Sequence, residues 1–127
     1  MYYQDDWLVF QTTAYFSSMS RVLFNSDRIW YGLGKPESIL TDMVHGKITE
    51  LFLKQKYCEA EDYLYENFEA GSKVWLLVAL DFYQKLNELS DEELEKGGFP
   101  RSEILPGIKG LVSKSGFDES LFEMRDE

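Results

Sequence analysis

The sequence has few of the features that would identify a chemical activity. It holds one cysteine, Cys58, among 127 residues, and a single cysteine cannot form an intramolecular disulfide. It has no glycine-rich phosphate loop, no His-Glu-x-x-His motif and no serine in a nucleophile elbow, the patterns that mark nucleotide sites, zinc proteases and many hydrolases. The sequence therefore predicts no cofactor and no catalytic residues.

Positive charge is also scarce. The chain has 13 Lys and Arg residues against 23 Asp and Glu residues, for a net charge of -10. Binding to nucleic acid or anionic lipid relies on Lys and Arg displacing counterions, so we expect neither partner. The longest apolar run, Val74 to Leu80, is far shorter than the roughly 20 residues that span a bilayer. With no basic and apolar leader at the N-terminus, the expected location is the cytoplasm.

Aromatic residues, in contrast, are abundant. They make up 16% of the chain, which argues against disorder, and the length suits one domain over residues 1–127 with a core of its own. No segment alternates apolar and polar residues for long, and no hairpin turn of the Asn-Gly kind occurs. The sequence therefore predicts an all-α fold of about six helices.

The strongest predicted helix follows Gly71 and Ser72. Between Val74 and Tyr83 nearly every residue is apolar, so neighbouring segments must cover more than one of its faces. We expect this helix to be central and to form a tight hairpin with the helix before it. Asp81 interrupts the run, and its expected partner is Lys85, four residues on; the alternative is a buried carboxylate.

The other helices are predicted from periodicity and caps. A first helix runs from about Asp5 to Phe24, and a second begins at Pro36. Gly46 falls in the middle of the second helix, where we interpret it as a break or a close helix crossing. Ser90 and Glu93 have the spacing of a capping box, and Ser102 can cap the last helix. The acidic residues 118–127 should form a helical turn that frays.

The segment LFLKQKYCEAEDYLYENFE resembles the middle of a tetratricopeptide repeat. The likeness lies in an aliphatic residue, a tyrosine, a small residue at the helix contact and a large apolar residue: Leu51, Tyr57, Ala60 and Leu64. Ile48 and Asn67 depart from the repeat pattern, and no similar block recurs about 34 residues later. The resemblance implies one repeat-like helical hairpin and not a peptide-binding superhelix.

More of the chain is similar to a family of short, uncharacterised bacterial helical proteins, a domain of unknown function. The resemblance rests on DWL and RVLF near the N-terminus, on AEDYLYE, and on ALDFYQKLNELSDEEL followed by FPRSEILPGIKGL. The segment from Gln11 to Ser20 departs from it. The resemblance implies a small bacterial helical protein, and it implies no activity.

Two groups of residues could carry chemistry. Asp42 and His45, three residues apart on one helix, could bind a metal ion or take part in catalysis if further ligands came from elsewhere in the fold. The competing interpretation is a half-exposed histidine beside a carboxylate. Cys58 could be a nucleophile with His45 as its base, but the acidic residues around it oppose a thiolate and favour a structural thiol.

The first helix has more apolar residues than one face can bury. Leu8, Tyr15, Met19, Val22 and Leu23 share a stripe, while Trp7, Phe10 and Phe16 lie off it. Either the same chain covers the second group or another chain does. The leading hypothesis is a protein–protein interaction module that binds a protein partner or itself, as a homodimer. Its predicted contact residues are Trp7, Phe10, Phe16, Trp30 and Tyr31. The alternative is a metal-binding or enzymatic helical bundle using Asp42 and His45.

Overall fold

The computed structural model describes the backbone of residues 2–25, 36–70 and 73–116, with side chains over 7–22, 41–70 and 74–116. Every regular element within these ranges is a helix, so the predicted all-α class is confirmed. In chain order the helices are α1 (Tyr2–Asn25), α2 (Pro36–Leu53), α3 (Tyr57–Asn67), α4 (Lys73–Glu88), α5 (Asp91–Lys96) and α6 (Ile104–Lys114), with a 3₁₀ turn at Arg101–Glu103 leading into α6.

The core is built around α4, as predicted. This helix packs against α1, α2 and α6, and three neighbours account for its apolar residues on more than one face. Its fully or nearly fully buried side chains are Trp75, Leu76, Ala79, Leu80, Phe82, Tyr83 and Leu86. The position of α4 fixes where the side chains of the other helices can meet.

The closest helix pairing, however, is between α2 and α3 rather than between α3 and α4. Only three residues, Lys54 to Lys56, connect α2 to α3, and the Lys56 amide donates back to the Leu51 carbonyl. A connection this short forces two helices to run antiparallel side by side. This pairing falls on the segment that resembles a tetratricopeptide repeat, and the Gly71–Ser72 turn lies outside the described residues.

Two sequence predictions about helix boundaries are corrected. Helix α1 begins at Tyr2, before Asp5. Helix α2 continues without interruption through Gly46, and a Cβ placed on Gly46 would meet no atom within 4 Å. Gly46 therefore marks neither a break nor a close crossing, because the glycine lies on the exposed side of α2.

The predicted capping box at the start of α5 is confirmed. The Glu93 amide donates to Ser90 Oγ at 3.1 Å, and the Ser90 amide donates to Glu93 Oε1 at 3.1 Å.

The carbonyls at the C-terminal end of α4 are hydrogen-bonded by Arg101, a residue that the sequence did not single out. The Arg101 guanidinium donates to the carbonyls of Asn87 and Leu89 and, at 2.7 Å, to the Asp91 carboxylate, so the last carbonyls of α4 have partners that the helix itself cannot supply.

None of the helices in the described ranges combines the length and the apolar character that a bilayer span needs.

Candidate functional site

The most prominent apolar surface lies on the outward side of α1. Trp7 and Phe10 are 62% and 63% exposed, which is unusual for side chains of this size. In contrast, Thr12, Tyr15 and Met19 are buried. At about 100° of rotation per residue the two sets lie on opposite sides of the helix. The buried side faces α4, so Trp7 and Phe10 point away from the core.

The outer face of α1 can be defined by its residues. It comprises Trp7, Phe10, Gln11, Ala14, Ser17, Ser18 and Arg21, all exposed or half-buried. No Asp or Glu occurs between residues 7 and 22, and Arg21 is the only charged residue in that range. The face therefore carries no carboxylate, although the chain has a net charge of -10.

The structure changes the predicted set of contact residues. Trp7 and Phe10 are exposed as expected, but Phe16 is 2% exposed and belongs to the core. Conversely Val22, assigned to the inward stripe, is 38% exposed. The buried stripe is rotated toward Thr12 and Phe16, because α4 contacts that side of α1. Trp30 and Tyr31 lie outside the described residues.

The sequence-predicted pair of Asp81 and Lys85 is present, and it has a third member. Lys85 Nζ lies 3.1 Å from Asp81 Oδ2, and His45 Nε2 lies 2.7 Å from the same oxygen. The two side chains that contact the Asp81 carboxylate are partly exposed, Lys85 by 44% and His45 by 40%. Burial raises the pKa of Asp81, but hydrogen bonds from His45 and Lys85 outweigh burial and hold the pKa below its usual value.

A hollow of about 430 Å³ opens beside His45. Its polar walls are Ser20, Thr41, Asp42, His45, Asp81 and Gln84, and its apolar floor is Val74, Leu77, Val78 and Leu80. Asp42 and His45 therefore share one concave surface, as their spacing predicted. Within the described part of the chain, no group of three or more His, Cys, Asp or Glu side chains is arranged to hold a metal ion.

A second carboxylate lies where α3, α4 and α6 meet. Tyr83, fully buried, donates its hydroxyl to Glu61 Oε2 at 2.6 Å, and Tyr65 donates to the Gly107 carbonyl at 2.6 Å. Burial raises the pKa of Glu61 against the lowering effect of the Tyr83 hydrogen bond. Burial and the Glu61 charge raise the pKa of Tyr83. The two hydrogen bonds join α3 to α4 and α3 to α6, so the network ties three helices together.

Cys58 is exposed at the start of α3, and its thiol donates to the Gly98 carbonyl at 3.4 Å. Burial of the thiol itself, with the charges of Glu61, Asp62 and Glu103, raises its pKa. A raised pKa keeps the thiol protonated, and the thiolate is the reactive form. Cys58 therefore lacks the electrostatic environment of a nucleophile.

Comparison with known proteins gives one match. A family model described as "Family of unknown function (DUF6483)" matches residues 2–116, which is most of the chain, and this agrees with the sequence resemblance to an uncharacterised helical family. No curated protein and no solved structure shows significant similarity.

Proposed function

Since the chain belongs to the family of unknown function DUF6483, whose description assigns no activity, we propose a function from the geometry: this is a protein–protein interaction module that binds through the outer face of α1. The observation that supports the proposal is the exposure of Trp7 and Phe10, one turn apart on that face. Covering an aromatic side chain of this size contributes about 1.5–3 kcal/mol. Aromatic anchors at the centre of a contact are typical of interface hot spots.

The outer face is held on a helix that is fixed to the core. Asn87 on α4 donates to Thr13 Oγ1 at 2.9 Å, on the flank of α1. Lys109 on α6 lies 5.4 Å from the centre of the Tyr15 ring, within range of a cation–π contact. A surface on a fixed helix loses less conformational entropy on binding than a mobile loop does.

Elsewhere among the described residues, the exposed apolar side chains do not form a comparable surface. Met43 and Leu53 on α2 are 67% and 77% exposed, but the charged residues Lys47 and Glu50 lie between them on the same exposed side. Single exposed apolar residues are common on monomeric proteins. They supply matched controls for the α1 face.

The proposal is tested by affinity isolation from an extract of the source cells, with the captured proteins quantified by mass spectrometry. Three baits are compared: the unaltered chain, Trp7→Ser with Phe10→Ser, and Leu53→Ser. We expect a defined partner, either another protein or an endogenous copy of the chain, to be retained by the first and third baits and lost by the second. A partner that all three baits retain equally would show that the α1 face is not the binding surface.

A second candidate function is metal or small-ligand binding at Asp42 and His45. One observation favours it: both residues line the hollow in which His45 is oriented by Asp81. Isothermal titration with Zn²⁺ tests it, with His45→Gln and Asp42→Asn as the variants and the exposed Asp62→Asn on α3 as the control. Stoichiometric binding that only the control retains would support this function, and absence of saturable binding would exclude a zinc site.

A further inference from the structure

We infer that the partner of the α1 outer face is a second copy of this chain, bound with the two α1 helices antiparallel. The inference rests on the proposed function, since it names the partner of the same face. Three properties of the face support it: the order of large and small side chains along α1, the absence of carboxylates, and the position of Arg21.

The side chains of the outer face are graded by size along the helix. The N-terminal half carries Trp7 and Phe10, and the C-terminal half carries Ala14, Ser17 and Ser18. In an antiparallel pair, the aromatic half of each helix lies over the small-residue half of the other. Large groups then fill the space that small groups leave, and dense packing of this kind is what stabilises helix contacts.

A parallel pair would place the same side chains opposite one another. Trp7 would face the partner's Trp7, while Ala14 and Ser18 would face their own counterparts across a gap. A gap at the contact removes the dispersion attraction between side chains of the two helices and leaves apolar surface poorly covered. The size gradient thus distinguishes the two orientations, and it fits a two-fold axis that crosses the face near its middle.

Electrostatics is compatible with a second copy at this face. Two chains of net charge -10 repel each other, and bringing like charges together at an interface costs roughly several kcal/mol. Residues 7–22 contain no Asp or Glu, so self-association here buries no pair of carboxylates. The antiparallel arrangement also brings Arg21, at one end of the face, beside the partner's Trp7, where a guanidinium can stack on the indole ring.

Sedimentation velocity of the full chain over a range of concentrations tests the inference. The unaltered 14.9 kDa chain should shift to twice that mass as concentration rises. Trp7→Ser with Phe10→Ser should weaken the association at least about ten-fold, whereas Leu53→Ser and Met43→Ser should leave it unchanged. Circular dichroism should show equal helix content in all variants, because the replaced side chains are exposed and take no part in the core.

Disulfide trapping tests the orientation. Pairing Arg21 with the partner's Trp7 sets Ala14 opposite its own counterpart, so in a Cys58→Ser background Ala14→Cys places the two new thiols at the proposed axis, and these should cross-link. Arg21→Cys places its two thiols about 21 Å apart along the helix direction, at about 1.5 Å per residue, and these should not cross-link. Equal cross-linking at both positions would indicate a parallel pair, and cross-linking at neither would place the contact elsewhere; either result overturns the inference.

The failure of this inference can be distinguished from failure of the proposed function. A chain that sediments as a monomer at all concentrations, yet captures another protein only when Trp7 and Phe10 are intact, overturns the second-copy inference and leaves the proposed function standing. A dimer that tolerates Trp7→Ser with Phe10→Ser also overturns it. If the chain is monomeric and no captured protein depends on those two residues, both are wrong.

Discussion

His45 on α2 and Asp81 on α4 are 36 residues apart in the sequence, and their side chains meet with Nε2 2.7 Å from Oδ2. The same carboxylate oxygen lies 3.1 Å from Lys85 Nζ. Asp81 therefore joins two helices through one contact while it also pairs within its own helix. This explains why an acidic residue is tolerated in the most apolar helix of the chain.

Asp81→Asn should destabilise the protein at neutral pH by up to about 1 kcal/mol, because the group is half exposed and solvent screens the pair. The pKa of Asp81 lies below its usual value of 3.8 in the folded protein. A carboxylate with a depressed pKa contributes stability above its unfolded pKa and loses it as pH falls through the folded pKa. The deficit of the variant, measured by urea unfolding, should therefore be complete at neutral pH and disappear as the pH falls below 3.8 and through the lower pKa of the folded state.

Asp62→Asn on the exposed side of α3 is the control for Asp81→Asn, and it should unfold like the unaltered chain. A deficit of Asp81→Asn that grows as the pH falls would contradict the assignment of the His45 and Lys85 contacts as the source of stability.

The sequence predicted only part of the Asp81 site. Lys85 was found because residues four apart on a helix are neighbours, which requires no knowledge of the fold. His45 was missed because its contact depends on how α2 is rotated and shifted against α4. The same limitation explains Phe10 and Phe16 on α1: helical periodicity separates the two sides of the helix, but it does not say which side α4 will cover.

Gly46→Ala should stabilise the protein by about 1 kcal/mol. The glycine lies within the uninterrupted helix α2, and an added Cβ would meet no atom within 4 Å. Alanine then lowers the conformational entropy of the unfolded chain and adds no clash. Urea denaturation followed by circular dichroism measures the change, and a loss of stability would indicate that the Gly46 side of α2 is covered.

Gly107→Ala should change the stability in the opposite direction from Gly46→Ala. A Cβ at Gly107 would lie 2.7 Å from both Glu61 Oε2 and the Tyr83 hydroxyl, so alanine should destabilise the protein by about 1–3 kcal/mol. The two glycines look alike in the sequence, each inside a helical segment. Only the crossing of α6 against α3 and α4 distinguishes the one that can be replaced from the one that cannot.

Glu61→Gln should change how stability depends on pH. The pKa of Glu61 is raised from 4.5 by burial, so the folded state favours the protonated acid more than the unfolded state does. Stability of the unaltered chain should therefore fall as pH rises from 4.5 through the raised pKa. Glutamine removes this titration and can still accept the Tyr83 hydrogen bond. When urea unfolding is measured from about pH 4 to about pH 7, the stability of the variant relative to the unaltered chain should therefore increase toward neutral pH. A variant that instead loses stability relative to the unaltered chain as the pH rises toward neutral would have the opposite sign and contradict the assignment.

Salt should strengthen the association of two copies. Each chain carries a net charge of -10, but the α1 outer face has no carboxylate, so the attraction is apolar while the repulsion is long-range and electrostatic. Raising the ionic strength from about 0.01 M to about 0.1 M shortens the screening length from about 30 Å to about 10 Å, which weakens the repulsion and leaves the apolar contact in place. The dimerisation constant from sedimentation should therefore rise with NaCl, and Trp7→Ser with Phe10→Ser should remain monomeric throughout. An association that weakens as salt is added would indicate an interface made of ion pairs, and such an interface cannot be the α1 face.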